Sequence, residues 1–349
     1  MKTIYLIFSL FLFTLTWGAS VHADNLSSEL KTFRLVLKCK ESRNSCSAII
    51  RQAGSRLHVF ELNQDERTYS YSFDQVQEIT FEGGRKDDYF KNETNIRVVA
   101  KGNSGNDELH GGGGDDELYG VNGNDLIFGR DGDDTIDGGE GNDELRGGNG
   151  NDAIVGGPGD DVLEGHRGVD ELRGGDGNDV IRGGPADDEI HGDNGDDELF
   201  GGHDNDYVKG GWGDDDLRGG PGDDSLNGGQ GSDHLYGEDG NDELHGNGNQ
   251  DGGYDHIWGG SGDDLLYAEG SDVWLFGEDG NDELYGGTLI SNVVGGRGID
   301  TVHCGNHKVQ VYVWPNTNPN GQNYGEIEDA CGKIYNNRDR AEEGYHPNH

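Results

Sequence analysis

From Gly102 to His303 one aliphatic side chain recurs every nine residues among glycines and polar positions. The pattern repeats about 22 times, with one four-residue insertion. GGEGNDELR (Gly138 to Arg146) and GGPGDDVLE (Gly156 to Glu164) are typical copies of Gly-Gly-x-Gly-x-Asp-x-Leu/Ile-x. Numbered from the first glycine, position 8 is aliphatic in all 22 repeats, from Leu109 to Val302, which marks it as the inward position. Position 6 is Asp in 20 repeats, position 4 is Gly in 18 and position 5 is Asn or Asp in 17. Gly, Asn and Asp tolerate positive φ, so positions 1 to 5 predict a tight turn. Positions 7 to 9 predict a three-residue strand with position 8 facing inward. One aliphatic residue in nine is too thin a core for a conventional domain, and the near-fixed glycines exclude helix. Such copies are stable only if neighbours stack and something binds at the turns.

The flanks are patterned differently. Residues 24–101 carry alternating or β-branched runs at Thr32 to Leu37, Ser47 to Arg51, Leu57 to Leu62, Thr68 to Phe73 and Val76 to Phe81, which predict strands. Asp87-Asp88-Tyr89-Phe90, following Gly83-Gly84, reads as a worn copy of the repeat, so this β-rich lead-in is expected to be continuous with the array and to cap it. Asn92-Glu93-Thr94 is a glycosylation sequon, read as a chance match. Residues 304–349 break the phase. Val309 to Trp314 predicts a strand and Pro315 to Asn323 a loop, together a C-terminal cap over the open end of the stack.

Composition turns this pattern toward a ligand-dependent fold. The chain has 349 residues, 65 of them Gly, with 69 acidic against 26 basic residues, a net charge of −43 and a hydrophobic content of 30%. Such values ordinarily mean disorder. With strict periodicity they instead predict a chain disordered alone and ordered with a ligand. The acidity excludes nucleic acid and anionic membrane as partners, since both would be repelled.

Residues 1–23 read as a secretory signal peptide: Lys2 gives the positive start, Ile4 to Trp17 the short apolar run, and Val21-His22-Ala23 the cleavage site before Asp24. The competing reading is an uncleaved N-terminal anchor. No other apolar stretch could cross a bilayer, so no transmembrane anchor is expected after cleavage. The expected location is secreted and extracellular, with the periplasm as alternative. The cysteines Cys39, Cys46, Cys304 and Cys331 are even in number, which in an exported chain points to disulfides. Of three connectivities the local one, Cys39–Cys46 and Cys304–Cys331, is favoured, pinning each end of the array. Zinc is disfavoured because neither pair has CxxC spacing or a nearby His pair.

Asp is a hard oxygen ligand and a glycine turn adds backbone carbonyls, a donor set suited to Ca²⁺. Over residues 102–303 the array resembles the RTX, or haemolysin-type calcium-binding, nonapeptide family, whose pattern is GGxGxDxUx. The resemblance implies an all-β fold, a parallel β-roll (β-helix solenoid) with capped ends, in which two repeats make one 18-residue coil. Calcium would sit between a turn and the turn two repeats later. The implied ligands are Asp107, Asp116, Asp125, Asp134, Asp143, Asp152, Asp161, Asp170, Asp179, Asp188, Asp197, Asp206, Asp215, Asp224, Asp233, Asp242, Asp255, Asp264, Asp282 and Asp300. An EF-hand is excluded, because no 12-residue loop ends in a Glu flanked by helices.

In such a roll successive carboxylates would stand roughly 5 Å apart, the strand spacing of a sheet. Each like-charged neighbour costs about 1 kcal/mol even in water. Two columns of these charges should not stack without cations. Odd repeats form one column with eight gaps between intact copies, and even repeats the other with ten, so about 18 Ca²⁺ are expected.

Some copies depart from the pattern. Repeat 17 carries the insertion, between Asn247 and Asp255; repeat 19 has Val273 at position 6; repeat 21 has Ser291 there and Leu289 in place of glycine. All three are odd, and weak or absent calcium is expected on that column. Ala186 and Asp204 replace the position-4 glycine in repeats 10 and 12, which puts those sites in question as well. The same odd face carries His234, Tyr236, His256, Trp258, Trp274 and Phe276 at outward positions. These aromatics either pack, under the C-terminal cap or as a stacking ladder, or form a ligand face for sugar rings.

Catalysis is not legible. None of the 13 histidines is followed by Glu, so HExxH is absent, and Gly259-Gly260-Ser261-Gly262-Asp263 lacks the last glycine of GxSxG. The expected function is that of a secreted calcium-binding protein, folding on calcium, with a structural, adhesive or interaction role. The alternative is a carbohydrate-binding or carbohydrate-active protein using the aromatic face. The expected partners are calcium and an extracellular glycan or surface protein.

Overall fold

The computed structural model describes residues 4–8, 11–15, 33–38, 45–61, 68–72, 76–247, 253–269, 273–287, 291–304, 310–313, 325–327 and 333–336. The regular elements described are all strands. No helix among the described residues is long and apolar enough to cross a membrane. The chain divides into two compact units, residues 1–177 and 178–349.

In the N-terminal unit the repeats form two parallel ladders. Odd repeats contribute Glu108–Gly112, Leu126–Asp131, Glu144–Asn149 and Val162–Arg167, paired so that Leu109 faces Ile127, Ile127 faces Leu145 and Leu145 faces Leu163. Even repeats contribute Glu117–Asn122, Thr135–Glu140, Ala153–Pro158 and Glu171–Asp176 in the same register. Each pairing advances 18 residues, two repeats per coil, as a parallel β-roll requires.

The lead-in joins these ladders directly. Val76–Glu82 pairs in parallel with Phe33–Lys38 and with Arg97–Lys101, which in turn pairs with Glu117–Asn122. Tyr89–Glu93 pairs with Glu108–Gly112 and with Ser47–Ala53, the latter forming an antiparallel hairpin with Arg56–Glu61. Phe81 and Phe90, both buried, stack at 4.8 Å. The sequon residue Asn92 is fully buried. Its amide donates to the Ile96 carbonyl at 2.9 Å, and its oxygen accepts the Thr94 hydroxyl at 2.7 Å. The apolar run near the start forms an antiparallel pair, Ile4–Phe8 with Phe11–Leu15.

The C-terminal unit repeats the plan. One ladder runs through Val180–Pro185, Glu198–His203, Asp216–Pro221, His234–Asp239, Asp255–Ser261, Val273–Asp279 and Ser291–Arg297. The other runs through Glu189–Asn194, Tyr207–Trp212, Ser225–Gln230, Glu243–His245, Leu265–Tyr267, Glu283–Gly286 and Asp300–Cys304. The insertion in repeat 17 is absorbed in the turn, for Leu235 still faces Ile257. Past the repeats, Gln310–Val313 pairs with Ser291–Arg297, Lys333–Asn336 with Gln310–Val313, and Gly325–Ile327 with Asp300–Cys304. The C-terminal segment thus adds further parallel rungs. The expected loop at Pro315 to Asn323, with Cys39 and Cys331, lies outside the described residues.

The strand is longer than the sequence predicts. A typical strand covers six residues, from position 7 into position 3 of the next repeat, as in Glu144–Asn149. The chain changes direction inside it without leaving the ladder: Arg130 at position 2 still pairs with Gly148. Positive φ occurs at position 2, 91° at Val121 and 103° at Gly139, and again at position 4, 131° at Gly141. The turn is therefore confined to positions 4 to 6, and glycine at position 1 serves another purpose. The position-8 column forms the core: Leu109, Leu118, Ile127, Ile136 and their successors to Val293 are wholly buried.

Candidate metal centre

Eighteen repeats place the position-6 Asp just before a strand, in the turn, with the side chain turned inward, and Asp255 and Asp300 are the first residues of theirs. All twenty are buried, from Asp107 to Asp300. A carboxylate is removed from water only where something compensates it, and one oxygen is compensated by the backbone. Asp143 Oδ1 accepts the N–H of Asp125 at 2.7 Å, Asp152 Oδ1 that of Asp134 at 2.8 Å, and Asp215 Oδ1 that of Asp197 at 2.9 Å. The acceptor is always one coil beyond the donor, so the carboxylates tie successive coils together.

At fifteen of these residues the second oxygen has no such partner. Oδ2 of Asp107, Asp116, Asp125, Asp134, Asp143 and Asp152 in the N-terminal unit is buried without a hydrogen bond. The same holds for Asp197, Asp206, Asp215, Asp224, Asp233, Asp242, Asp255, Asp264 and Asp282 in the C-terminal unit. These oxygens face the position-1 glycine of their own repeat. A Cβ on Gly120 would clash with Asp125 Oδ2 and stand 2.5 Å from the Gly138 carbonyl oxygen of the next coil. A Cβ on Gly129 would clash with Asp134 Oδ2 and meet the Gly147 carbonyl at 2.8 Å. Position 1 is glycine because a carboxylate oxygen and a carbonyl oxygen already converge on the space a side chain would take.

Position 5 has a separate ladder of opposite sense. Asn106 Oδ1 accepts the N–H of Asn124 at 3.0 Å, and Asp133 Oδ1 that of Asn151 at 2.8 Å. Here the acceptor lies one coil before the donor, and the side chains are exposed. Asn and Asp both serve at position 5 because each offers an Oδ1 acceptor, and Asn241 and Asn281 also donate through Nδ2 to Asp223 and Asp263.

Burial raises the affinity of the position-6 carboxyls for protons. It pushes Asp134 and Asp206 up to about 8, and Asp107, Asp116, Asp152, Asp197 and Asp215 to about 7, from an ordinary value near 3.8. The donated N–H opposes the shift, and in most of these sites the neighbouring Asp of the column adds to it. A bare roll near neutral pH is thus poised between holding protons and holding cations.

The donor chemistry fits a hard divalent cation: a charged carboxylate oxygen plus a backbone carbonyl oxygen at the same cradle. Among the described residues no three His, Cys, Asp or Glu side chains converge as a metal site.

The departures from the repeat have distinct outcomes. Asp255 keeps the regular geometry despite the insertion, being fully buried with Oδ1 accepting the Asp233 N–H at 3.1 Å. Ala186 and Asp204 adopt the positive φ of the glycines they replace, 96° and 74°. Asp188 and Asp206 in those repeats remain linked at 2.8 Å. Val273 is fully buried where a carboxylate stands elsewhere. Asp88 in the worn lead-in copy is also buried, but both its oxygens accept backbone N–H groups, from Cys46 and Gly84.

The six aromatic side chains singled out in the sequence do come together, in the C-terminal unit. Tyr236 stacks on Trp258 at 4.6 Å and Trp258 on Phe276 at 5.5 Å, both nearly parallel. His234 stacks on His256 at 5.2 Å, and Trp274 lies 5.9 Å from Phe276. A second ladder went unrecognised in the sequence: His245, Tyr267, Tyr285 and His303 stack at 4.4, 4.7 and 4.4 Å on the other sheet. Reading position 9 of the even repeats, coil by coil across the insertion, would have found it.

No curated protein matches the chain. A family model described as the RTX calcium-binding nonapeptide repeat matches it in eight segments, from residues 99–127 to residues 258–288. Together they cover more than half of the chain. With its 18-residue parallel coils and buried turn carboxylates, the chain belongs to the RTX calcium-binding nonapeptide repeat family.

Proposed function

We propose that this is a secreted protein whose roll orders on binding calcium at the turns and then acts as a structural or adhesive module. The observation that carries this reading is the buried Oδ2 without a hydrogen bond at fifteen position-6 Asp residues, facing a glycine cradle that at Gly120 and Gly129 is shared with a carbonyl of the next coil. Calcium would supply there the charge that burial demands. The residues that would hold it are the regular members of the series from Asp107 to Asp300, with position-1 carbonyls such as those of Gly138 and Gly147. Val273 and Ser291 offer no carboxylate, so no ion is assigned to them.

Export fits this chemistry. A signal at residues 1–23 would deliver the chain unfolded to an extracellular or periplasmic space rich in calcium. Disulfides Cys39–Cys46 and Cys304–Cys331 would close each flank there. Affinities on the order of 10⁻⁴ to 10⁻³ M per site, the range of extracellular modules, would keep the chain unfolded before export.

The repeats are a structural device, and catalysis is not part of the proposal. A carbohydrate-binding role would draw on the aromatic patch around Trp258. The rings there stack on one another, which leaves edges rather than faces for a sugar and favours packing. Circular dichroism of the full chain tests the main reading: β-structure should appear cooperatively with millimolar calcium. Identical spectra in chelator and in calcium would sink it.

A further inference from the structure

The even ladder of the C-terminal unit brings two tyrosines face to face. Tyr267 pairs with Tyr285 across the parallel strands Leu265–Tyr267 and Glu283–Gly286, one coil apart. Paired residues of such strands point to the same side of the sheet. Leu266 and Leu284 beside them are fully buried in the core, so both phenols stand on the outer face. Their rings lie 4.7 Å apart and within 14° of parallel. His245 stacks on Tyr267 and His303 on Tyr285, each at 4.4 Å. Two imidazoles thus bracket the pair while the strands beneath hold its register. Both tyrosines are half-buried, packed yet reachable from solvent.

The pair also has a proton acceptor in place. Tyr285 Oη donates to Glu283 Oε1 at 2.6 Å, and His303 Nε2 meets the same oxygen at 2.8 Å. Taking an electron from a phenol makes its proton strongly acidic, and a carboxylate already in hydrogen-bond contact receives it without rearrangement. The ladder on the other sheet differs, since Tyr236 faces Trp258 rather than a second phenol.

We propose that Tyr267 and Tyr285 form an oxidative modification site, where a one-electron oxidant joins their rings as a dityrosine that staples one coil to the next. Each phenol gives one electron to the oxidant and loses one proton, from Tyr285 to Glu283 and from Tyr267 to water. The two phenoxyl radicals join through ring carbons next to their oxygens, forming one C–C bond. The hydrogen on each joined carbon then moves to the neighbouring oxygen, which restores both phenols. Hydrogen peroxide, acting through a haem peroxidase, is one such oxidant; it takes up the two electrons and two protons and becomes two waters. The stack sets the rings together before the radicals form, which favours coupling within the chain over coupling between chains. The site belongs to the folded roll, whatever cation orders it, and the new bond holds its two coils together without a cation.

The test oxidises the full chain, folded in saturating calcium at micromolar concentration, with photo-excited ruthenium tris-bipyridine and persulfate, and reads the digest by mass spectrometry. A cross-linked peptide pair holding Tyr267 and Tyr285, lighter than their sum by two hydrogens, should form at least about tenfold more than any cross-link between chains. Unfolding the chain in urea before oxidation should lower that product by a similar factor, and an equal yield in urea would show that the stack plays no part. Cross-links confined to other tyrosines, or oxygen added at Trp258 and Trp274 while Tyr267 and Tyr285 stay intact, would overturn the proposal. Tyr267→Phe keeps a ring in the stack and should abolish the product with the circular dichroism unchanged. Tyr285 coupled to another tyrosine at the same yield in that variant would refute the pairing. Glu283→Gln removes the proton acceptor and should lower the yield severalfold, and an unchanged yield would refute that role.

Discussion

The N–H of Asp134 donates to Asp152 Oδ1 at 2.8 Å, while Asp152 Oδ2 lies buried with no partner. One carboxylate thus has two separable tasks, to join successive coils and to present a charged oxygen to the turn. Asp152→Asn keeps an acceptor for the Asp134 N–H and removes the charge, whereas Asp152→Ala removes both. Calorimetric titration should show one or two fewer calcium ions for either variant. Only Asp152→Ala should also lose about 1–3 kcal/mol in calcium, the cost of a buried N–H left unmet. Equal stability of the two variants would show that the coil link contributes nothing.

The glycines at positive φ give a second test with two signs. Gly150 has φ 137°, and a Cβ there would drive into the Gly132 carbonyl. Gly150→Ala should destabilise the roll by about 1–3 kcal/mol or more, since strain and clash combine. Val121 is a β-branched residue at φ 91° and is exposed at 37%. Val121→Gly should relieve strain and gain about 1 kcal/mol. Denaturant unfolding in calcium reads both, and a loss at Val121→Gly would contradict the assignment of strain.

Position 8 carries the core, and Leu163 is fully buried within it. Leu163→Ala should cost about 2–5 kcal/mol. Val155, outward and 40% exposed on the other ladder, should tolerate Ala within about 0.5 kcal/mol. Similar losses at both sites would mean that the stack does not depend on its inner column.

The carboxyls set the pH dependence of the metal-free chain. Burial raises them in the folded state to about 6 in Asp125 and Asp143, about 7 in Asp152 and about 8 in Asp134, against 3.8 ordinarily. A carboxyl with a raised folded value favours the roll fully below the unfolded value and loses that contribution as pH rises through the folded value. In chelator, β-structure should therefore increase as pH falls from about 8 toward 5. In calcium the trend reverses, because protons compete with the ion for the same oxygens. Circular dichroism in chelator at the two pH values checks the sign, and more β-structure at the higher pH would refute it.

Much of this architecture was legible in the sequence. Leu109 to Val302 at position 8 gave the inner column, and strict Asp at position 6 gave the turn oxygens. Less legible was the division of labour among the glycines. Gly120, Val121 and Gly123 all lie in what reads as one turn, yet Gly120 yields space to Asp125 and Gly138, Val121 bends the strand, and Gly123 makes the turn itself. Local propensity is the same for all three tasks, and only the neighbouring coil tells them apart. The insertion before Asp255 leaves the ladder in register for a similar reason, since a longer turn need not disturb a ladder fixed by its flanking strands. Tyr267 and Tyr285 were overlooked because their contact depends on 18-residue spacing rather than on any local motif.

The central claim, that the turn carboxylates and glycine carbonyls form calcium sites along the roll, is tested most directly by calcium stoichiometry. Equilibrium dialysis of the full chain, folded in saturating calcium, should give about 18 ions per chain, from eight gaps on one column of intact repeats and ten on the other. A value well below about 10 would contradict it, because most of the buried Oδ2 atoms would then have to be neutralised by something other than calcium.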